Sequence, residues 1–190
     1  MNFILISGPP AVGKMTVGQE LSRRLNYPLL HNHHSIELAL DLFSWETPEF
    51  KRINSGIREL VFDTVADSTR LRGFIFTLVI AFDLEKDVAE VRKIFARFQE
   101  KGWTPLLVEL YAPLSKRLER NPTANRLAHK PSKRKLELSE NNLHDMEARY
   151  QMSIAENEPQ PFPEAGYLRL DNSELSAAAA AARIIEHFDL

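Results

Sequence analysis

The stretch that decides the fold is NFILISGPPAVGKMTVGQELSRRL, residues 2 to 25. Its first residues, through Ser7, form an apolar run that stops at Gly8, and from Lys14 onward Val17, Leu21 and Leu25 recur at helical spacing. The pattern predicts a buried strand, a glycine turn and a helix. Gly8, four residues, Gly13 and Lys14 fill the turn, which is the spacing of a phosphate-binding loop in the setting such a loop requires. Backbone N–H groups of the turn and of the first helical residues have no internal partners. They point at phosphate oxygens, helped by the positive end of the helix dipole. Lys14 adds a mobile charge able to follow the β- and γ-phosphates through a transfer. Pro9 and Pro10 remove two amides, but ahead of the segment that wraps the anion. The bland alternative is a strand-to-helix turn that happens to contain two glycines and a lysine; the flanking elements count against it.

Strands and helices keep alternating outward from this unit. YPLLHNH (27 to 33) reads as a second strand, followed by helices over 35 to 43 and from Pro48 to about Leu71. GFIFTLVIAF (73 to 82) predicts a third strand, 84 to 101 a helix ending at Gly102, and TPLLVELYA (104 to 112) a fourth strand. A short helix over 114 to 120 leads into NPTANRLAHKPSKRK (121 to 135), polar, basic and broken by Pro122 and Pro131, which reads as a loop or lid. Residues 139 to 151 read as helical, 158 to 166 as a proline-rich connection and YLRLD (167 to 171) as a fifth strand. Asp171 and Glu174 have capping-box-like spacing ahead of an alanine-rich final helix. Apolar strands alternating with helices indicate a parallel sheet covered on both faces.

Composition bounds the function. A chain of 190 residues, 44% hydrophobic and 26% charged, matches one domain with a real core, here 1 to 190. No window carries the unbroken apolar run of a membrane span, and the N-terminus lacks the basic head and cleavage site of a signal peptide, so a cytoplasmic protein is expected. Cysteine is absent, which fits a reducing compartment. A net charge of −2 and a pI near 6.3 argue against a nucleic-acid coat, which needs a basic surface.

GPPAVGKMT (8 to 16) resembles the loop of the nucleoside monophosphate kinase and shikimate kinase superfamily of P-loop kinases, and the order of elements extends the resemblance over nearly the whole chain. The resemblance implies a three-layer α/β/α P-loop NTPase fold with a five-stranded parallel sheet and a short basic lid at about 121 to 138. It implies ATP and Mg2+ as cofactors, contacts to nucleotide from Gly8, Ala11, Val12, Gly13, Lys14, Met15 and Thr16, and transfer of the γ-phosphate to a small-molecule acceptor. Met15 stands where a Ser or Thr hydroxyl usually holds magnesium. Adenylate kinases of this superfamily carry Gly-Lys-Gly-Thr, with the hydroxyl one place later. By that analogy Thr16 contacts phosphate, and magnesium is held mainly through waters and the nucleotide; no metal-ligand set is assigned.

In an open parallel sheet the ligand lies beyond the carboxyl ends of the strands, which brings forward the residues after strands two and three. His31 and His33, two apart, share a side while the strand persists. They can bind a substrate's polar groups, act as acid or base, or ligate a metal for which further ligands are lacking; the alternative is a capped helix start. Glu37, a turn past His33, faces the same cleft or solvent. Asp83 either orients magnesium-bound water and accepts the attacking hydroxyl's proton, or caps the helix at Leu84. Arg117 and Arg120 share a helix face. The resemblance carries transition-state stabilisation to Arg120 and Arg126 and a nucleotide contact to Arg117, while Lys133, Arg134 and Lys135 read as solvated charge. LDNSE (170 to 174) is similar to the loop beside the adenine and ribose in several of these kinases. Two rivals stand beside the kinase: an ATP-binding regulator that has lost transfer, and a nucleic-acid end kinase, against which the acidic pI counts.

Overall fold

The computed structural model describes residues 1 to 190 except Glu46 and Glu156. Strand β1 (Asn2–Ser7) is central, and the sheet order is β2-β3-β1-β4-β5, all parallel, with β2 Leu29–His31, β3 Gly73–Thr77, β4 Thr104–Tyr111 and β5 Gly166–Asp171. The helices are α1 (Lys14–Leu25), α2 (His33–Leu40), α3 (Pro48–Ala66), α4 (Glu85–Glu100), α5 (Leu114–Arg120), α6 (Ala124–His129), α7 (Leu136–Arg149) and α8 (Ala177–Phe188), with a 3-10 turn at Pro131–Lys133. This is the expected three-layer α/β/α architecture with a five-stranded parallel sheet.

Alternation along β1 divides the core between the faces. Phe3 and Leu5 pack with Phe74, Phe76 and Leu107 against α3 and α4, where Phe3 stacks on Phe98 at 4.0 Å between ring centroids. Ile4 and Ile6 pack with Ile75, Leu106 and Val108 against Val17 and Leu21 of α1 and Ala181 and Ile184 of α8. Burial on both faces explains why the strands read as continuous apolar runs. The chain leaves β1 for β3 and β2 on one side and later fills β4 and β5 on the other, so the direction of winding reverses at the end of β1. A ligand crevice is expected there.

Several boundaries differ from the sequence reading. The third strand was expected through residue 82 but ends at Thr77, because its neighbour β1 turns away at Gly8; Leu78 N donates a last bond to Ile6 O at 3.0 Å. The second strand, expected over 27 to 33, shrinks to Leu29–His31 because β3 offers no partner beyond Thr77, whose Oγ1 accepts from Asn32 N at 3.2 Å. Helix α2 therefore begins at His33, and α3 stops at Ala66 rather than near Leu71. Asp171 does not cap the last helix: its carboxylate accepts from Ser173 N (2.8 Å) and Ser173 Oγ (2.5 Å), and Ser176 caps α8 by accepting from Ala179 N at 3.1 Å. A local Asx turn wins that carboxylate. The lid segment is built from α6, the 3-10 turn and the start of α7, which begins at Leu136 rather than 139, with Pro131 opening the 3-10 turn where a missing N–H costs nothing.

Candidate active site

The loop between β1 and α1 is shaped by two glycines. Gly8 has φ 132°, and a Cβ there would lie 2.3 Å from Leu110 O, so no other residue fits. Gly13, at φ 112°, is the N-cap of α1. Lys14 folds back over the turn and donates to Gly8 O at 2.6 Å and Pro9 O at 2.8 Å. The outer rim of the loop is held by its carbonyls. Val12 O accepts from Arg120 Nη1 and Asn172 Nδ2, both at 2.9 Å. Val12 N donates to Pro9 O at 3.3 Å, while the amides of Ala11 and Gly13 have no hydrogen-bond partner among the described residues and are free to face an anion.

The arginines expected around the nucleotide have separate positions. Arg117 is buried, donates through Nε to Ala112 O at 3.1 Å, reaches Pro10 O at 3.5 Å and pairs with Glu147. Arg120 spans from Val12 O to Asn172 O (2.7 Å) and Ser173 O (2.9 Å), clasping the loop to the turn after β5. Arg126 is buried, with Nε on Asn121 Oδ1 at 3.2 Å. Asn172, in the segment compared with an adenine-side loop, is the residue that ties this turn to the phosphate loop, a role its place after β5 hinted at without defining.

A cavity of about 260 Å³ lies between the loop, the lid and the turn after β5. Leu175, Ala177 and Thr123 line it, and Lys14, Arg126 and Lys130 bring cations to it. Its lining includes Ala11, Val12, Gly13, Met15 and Thr16 but, among the described residues, neither aspartate nor glutamate. The cations depress one another. Burial first, then Lys130, Arg126 and Arg117, hold Lys14 well below the ordinary lysine range. Burial, with Arg126 and Lys133, brings Lys130 down to about 7 against the opposing pull of Glu37, and burial brings Arg126 to about 10. A cluster of cations with no counter-charge among the described lining residues favours an anion.

The donors present do not fit a side-chain magnesium site. Met15 occupies the usual hydroxyl position and is buried, Thr16 Oγ1 accepts from Asn125 Nδ2 of the lid at 3.3 Å, and no carboxylate among the described residues lines the cavity. Among the described residues no group of three or more His, Asp or Glu could hold a metal ion.

The lid is docked on α1 and α2. Asn125 also donates to Gln19 Oε1 at 3.0 Å, and Glu37 accepts from Ser132 N (3.0 Å) and Ser132 Oγ (2.6 Å). His33 Nδ1 lies 2.7 Å from the same carboxylate; since a carboxylate only accepts, that nitrogen carries the proton. Burial pushes Glu37 up, but the bonds from His33 and Ser132 outweigh it and hold it below its usual range. Burial draws His33 down to about 4 despite Glu37. His31 is 2% exposed, stacks on His34 at 3.6 Å and meets the edge of His129 at 6.0 Å. Neither of its ring nitrogens has a hydrogen-bond partner among the described residues. Burial, then His34 and Lys130, lowers it to about 3. An orphaned buried imidazole costs roughly 1–3 kcal/mol. Asp83 lies outside this assembly: it is exposed, accepts from Gln151 N at 3.0 Å and does not line the cavity. Nor does it cap α4, whose N-cap position is Leu84 with no side-chain capping bond.

A second cavity, about 270 Å³, opens on the other face between α3, α4 and the end of β3. Lys51, Asn54, Ser55 and Arg58 line it at helical spacing, with Phe76, Leu78 and Glu90. The Arg58 guanidinium lies 5.7 Å from the Phe76 ring centroid and donates to Ser35 Oγ (3.0 Å) and Asn32 O (3.3 Å). Asn32 follows His31 directly, so this guanidinium is braced by the same β2–α2 turn. Arg58 escaped the sequence reading; the shared helix face of the polar residues at 51, 54, 55 and 58 was the available signal.

The fold is the three-layer α/β/α arrangement with a five-stranded parallel sheet that solved structures of small-molecule kinases share. Among solved structures the chain is similar to a shikimate kinase from Acinetobacter baumannii in complex with shikimate, at 19% identity and a TM-score of 0.60, covering 99% of this chain and 93% of that one. It is also similar to an APS kinase from Mycobacterium tuberculosis in complex with AMPPNP and APS (16%, TM-score 0.57, 100% and 98% covered) and to a gluconokinase from Sinorhizobium meliloti (15%, 0.54, 99% and 95%). No family model and no curated protein matches the sequence. No helix among the described residues is long and apolar enough to cross a membrane.

Proposed function

We propose that this chain is a phosphotransferase that binds ATP over the loop and transfers its γ-phosphate to a small-molecule acceptor, yielding ADP and the phosphorylated acceptor. The observation that carries the reading is the cavity over Gly8–Lys14, which Lys14, Arg126 and Lys130 line with no carboxylate among the described lining residues. The loop amides and Lys14 hold the β- and γ-phosphates, and Thr16 supports them. Arg126 stabilises the transferring group, and Arg117 and Arg120 keep the loop in shape. Phosphoryl transfer needs positioning and charge more than covalent chemistry from the protein, so such a set suffices in kind. Mg2+ enters as a companion of the nucleotide, and no step is assigned to it.

The acceptor lies on the β2–α2 side, where His31 offers unpaired nitrogens, His33 and Glu37 hold the docked lid, and Arg58 opens the second cavity. Asp83 has no part in this reading. A lid docked over the cavity also limits wasteful hydrolysis by water. The test is ATP consumption with and without a panel of hydroxylated, carboxylated and phosphorylated small molecules, repeated with Lys14→Ala. Stimulation by one class, lost in the variant, supports transfer.

The second reading, a nucleotide-binding regulator without transfer, draws on the same missing carboxylates. It predicts ATP binding with no acceptor-stimulated turnover.

A further inference from the structure

Lys130 is the cavity cation to which the transfer scheme assigns no role. The backbone around it is fixed: Lys133 N donates to Lys130 O at 2.9 Å, Pro131 follows at the start of the 3-10 turn, and Ser132 is bound twice by Glu37. The residue is 8% exposed and lines the cavity together with Arg126 and the phosphate loop. The neighbouring cations already have protein partners. Lys14 is on Gly8 O and Pro9 O, Arg120 on three carbonyls, Arg117 on Ala112 O and Glu147, and Arg126 on Asn121. Lys133 donates to Asn142 Oδ1 at 3.3 Å. The Lys130 ammonium has no hydrogen-bond partner among the described residues.

We propose that Lys130 is a nucleotide-binding residue of the lid, its ammonium meeting the terminal phosphates of a nucleoside triphosphate from the side opposite Lys14 and supplying charge that no side-chain-held divalent cation supplies here. The inference rests on the nucleotide reading of the cavity and deepens it. Two consequences follow from the geometry. Nucleotide binds without magnesium, because the charge it meets belongs to the protein. Binding also consumes protons above neutral pH. Burial, Arg126 and Lys133 keep Lys130 near 7 in the free protein, so at pH 8 most of its ammonium is discharged; triphosphate oxygens at that site restore it. Affinity then falls with rising pH by up to about tenfold per unit for each proton taken up.

The experiment is calorimetric titration of ATP in EDTA at pH 8, in two buffers of different ionisation enthalpy, on wild type, Lys130→Met and Lys130→Arg, each checked by thermal melting. The expected result is wild-type binding with proton uptake, affinity at least about tenfold weaker in Lys130→Met, the loss of one charge-assisted hydrogen bond, and binding retained with reduced uptake in Lys130→Arg. Arginine keeps the charge but does not titrate in this range, so a merely structural role for Lys130 would not produce that split. Wild-type binding that Lys130→Met matches in affinity, or uptake unchanged in Lys130→Arg, overturns the inference and leaves the nucleotide reading standing. A folded wild type that binds no ATP, with or without magnesium, overturns both.

Discussion

Lowering the pH from 7 to 5 should destabilise this protein through two imidazoles. His31 and His33 are 2% and 8% exposed and are held near 3 and near 4, against an ordinary value of 6.5. A histidine with a lowered pKa stays neutral in the fold while its counterpart in the unfolded chain takes a proton. The stability it carries is therefore complete above about pH 6.5 and is lost as the pH falls toward the folded value. Each such group contributes a slope of about 1.4 kcal/mol per pH unit. From 6.5 to 5 that is about 2 kcal/mol per histidine and about 4 kcal/mol for the pair, a large share of the 5–15 kcal/mol typical of a domain. Urea unfolding at pH 7 and pH 5, followed by the fluorescence of buried Trp103, measures it. His31→Leu provides the internal control. It removes one of the two most strongly lowered imidazoles, so a substantial share of the pH dependence disappears, and it replaces an unpartnered imidazole with an apolar side chain, adding roughly 1–3 kcal/mol at pH 7. Equal wild-type midpoints at the two pH values, or an undiminished slope in His31→Leu, would refute the reasoning.

Three further substitutions test separate parts of the account. Gly8→Ala places a methyl 2.3 Å from Leu110 O at a backbone angle L residues avoid, so ATP affinity should fall by about a hundredfold or more and the melting temperature should drop; wild-type binding would show that the loop shape does not matter. Glu37→Ala removes both anchors of Ser132, and tryptic cleavage within 121 to 138 should accelerate about tenfold or more with little change in the global urea midpoint. An unchanged cleavage rate would mean that the lid is held elsewhere. Arg58→Met should leave ATP affinity within about twofold while reducing acceptor-stimulated turnover by roughly ten- to a hundredfold, the loss of one charged hydrogen bond; unaltered turnover would move the acceptor away from the second cavity.

What was legible in the sequence was whatever is decided locally. The apolar run to Ser7, the glycines at 8 and 13, Lys14 and the helical spacing of Val17 and Leu21 specify a strand, loop and helix without reference to the rest of the chain. Strand ends were not legible, because β3 stops where β1 turns away and β2 stops where β3 does. Asp171 and Ser176 both have the chemistry of a helix cap, and only the turn geometry after β5 assigns the role to Ser176. In the candidate site, the loop residues and the basic character of the lid could be read directly. The individual lid cations could not, since a lysine's burial depends on how α6 and the 3-10 turn settle over α1 and α2. Lys130 and Arg58 therefore look like ordinary surface charges in one dimension, and Asp83 looks like a site carboxylate until Gln151 is found beside it.

The central claim is that the turn from Gly8 to Lys14 binds the phosphates of a nucleotide. Titration of ATP into wild type and Lys14→Ala, with and without Mg2+, followed by heat or melting temperature, tests it most directly. The account predicts saturable binding by the wild type in both conditions and a loss of at least about tenfold in the variant, in line with removal of a charged phosphate ligand. A folded wild type that does not bind ATP, or binding that survives Lys14→Ala unchanged, would contradict it.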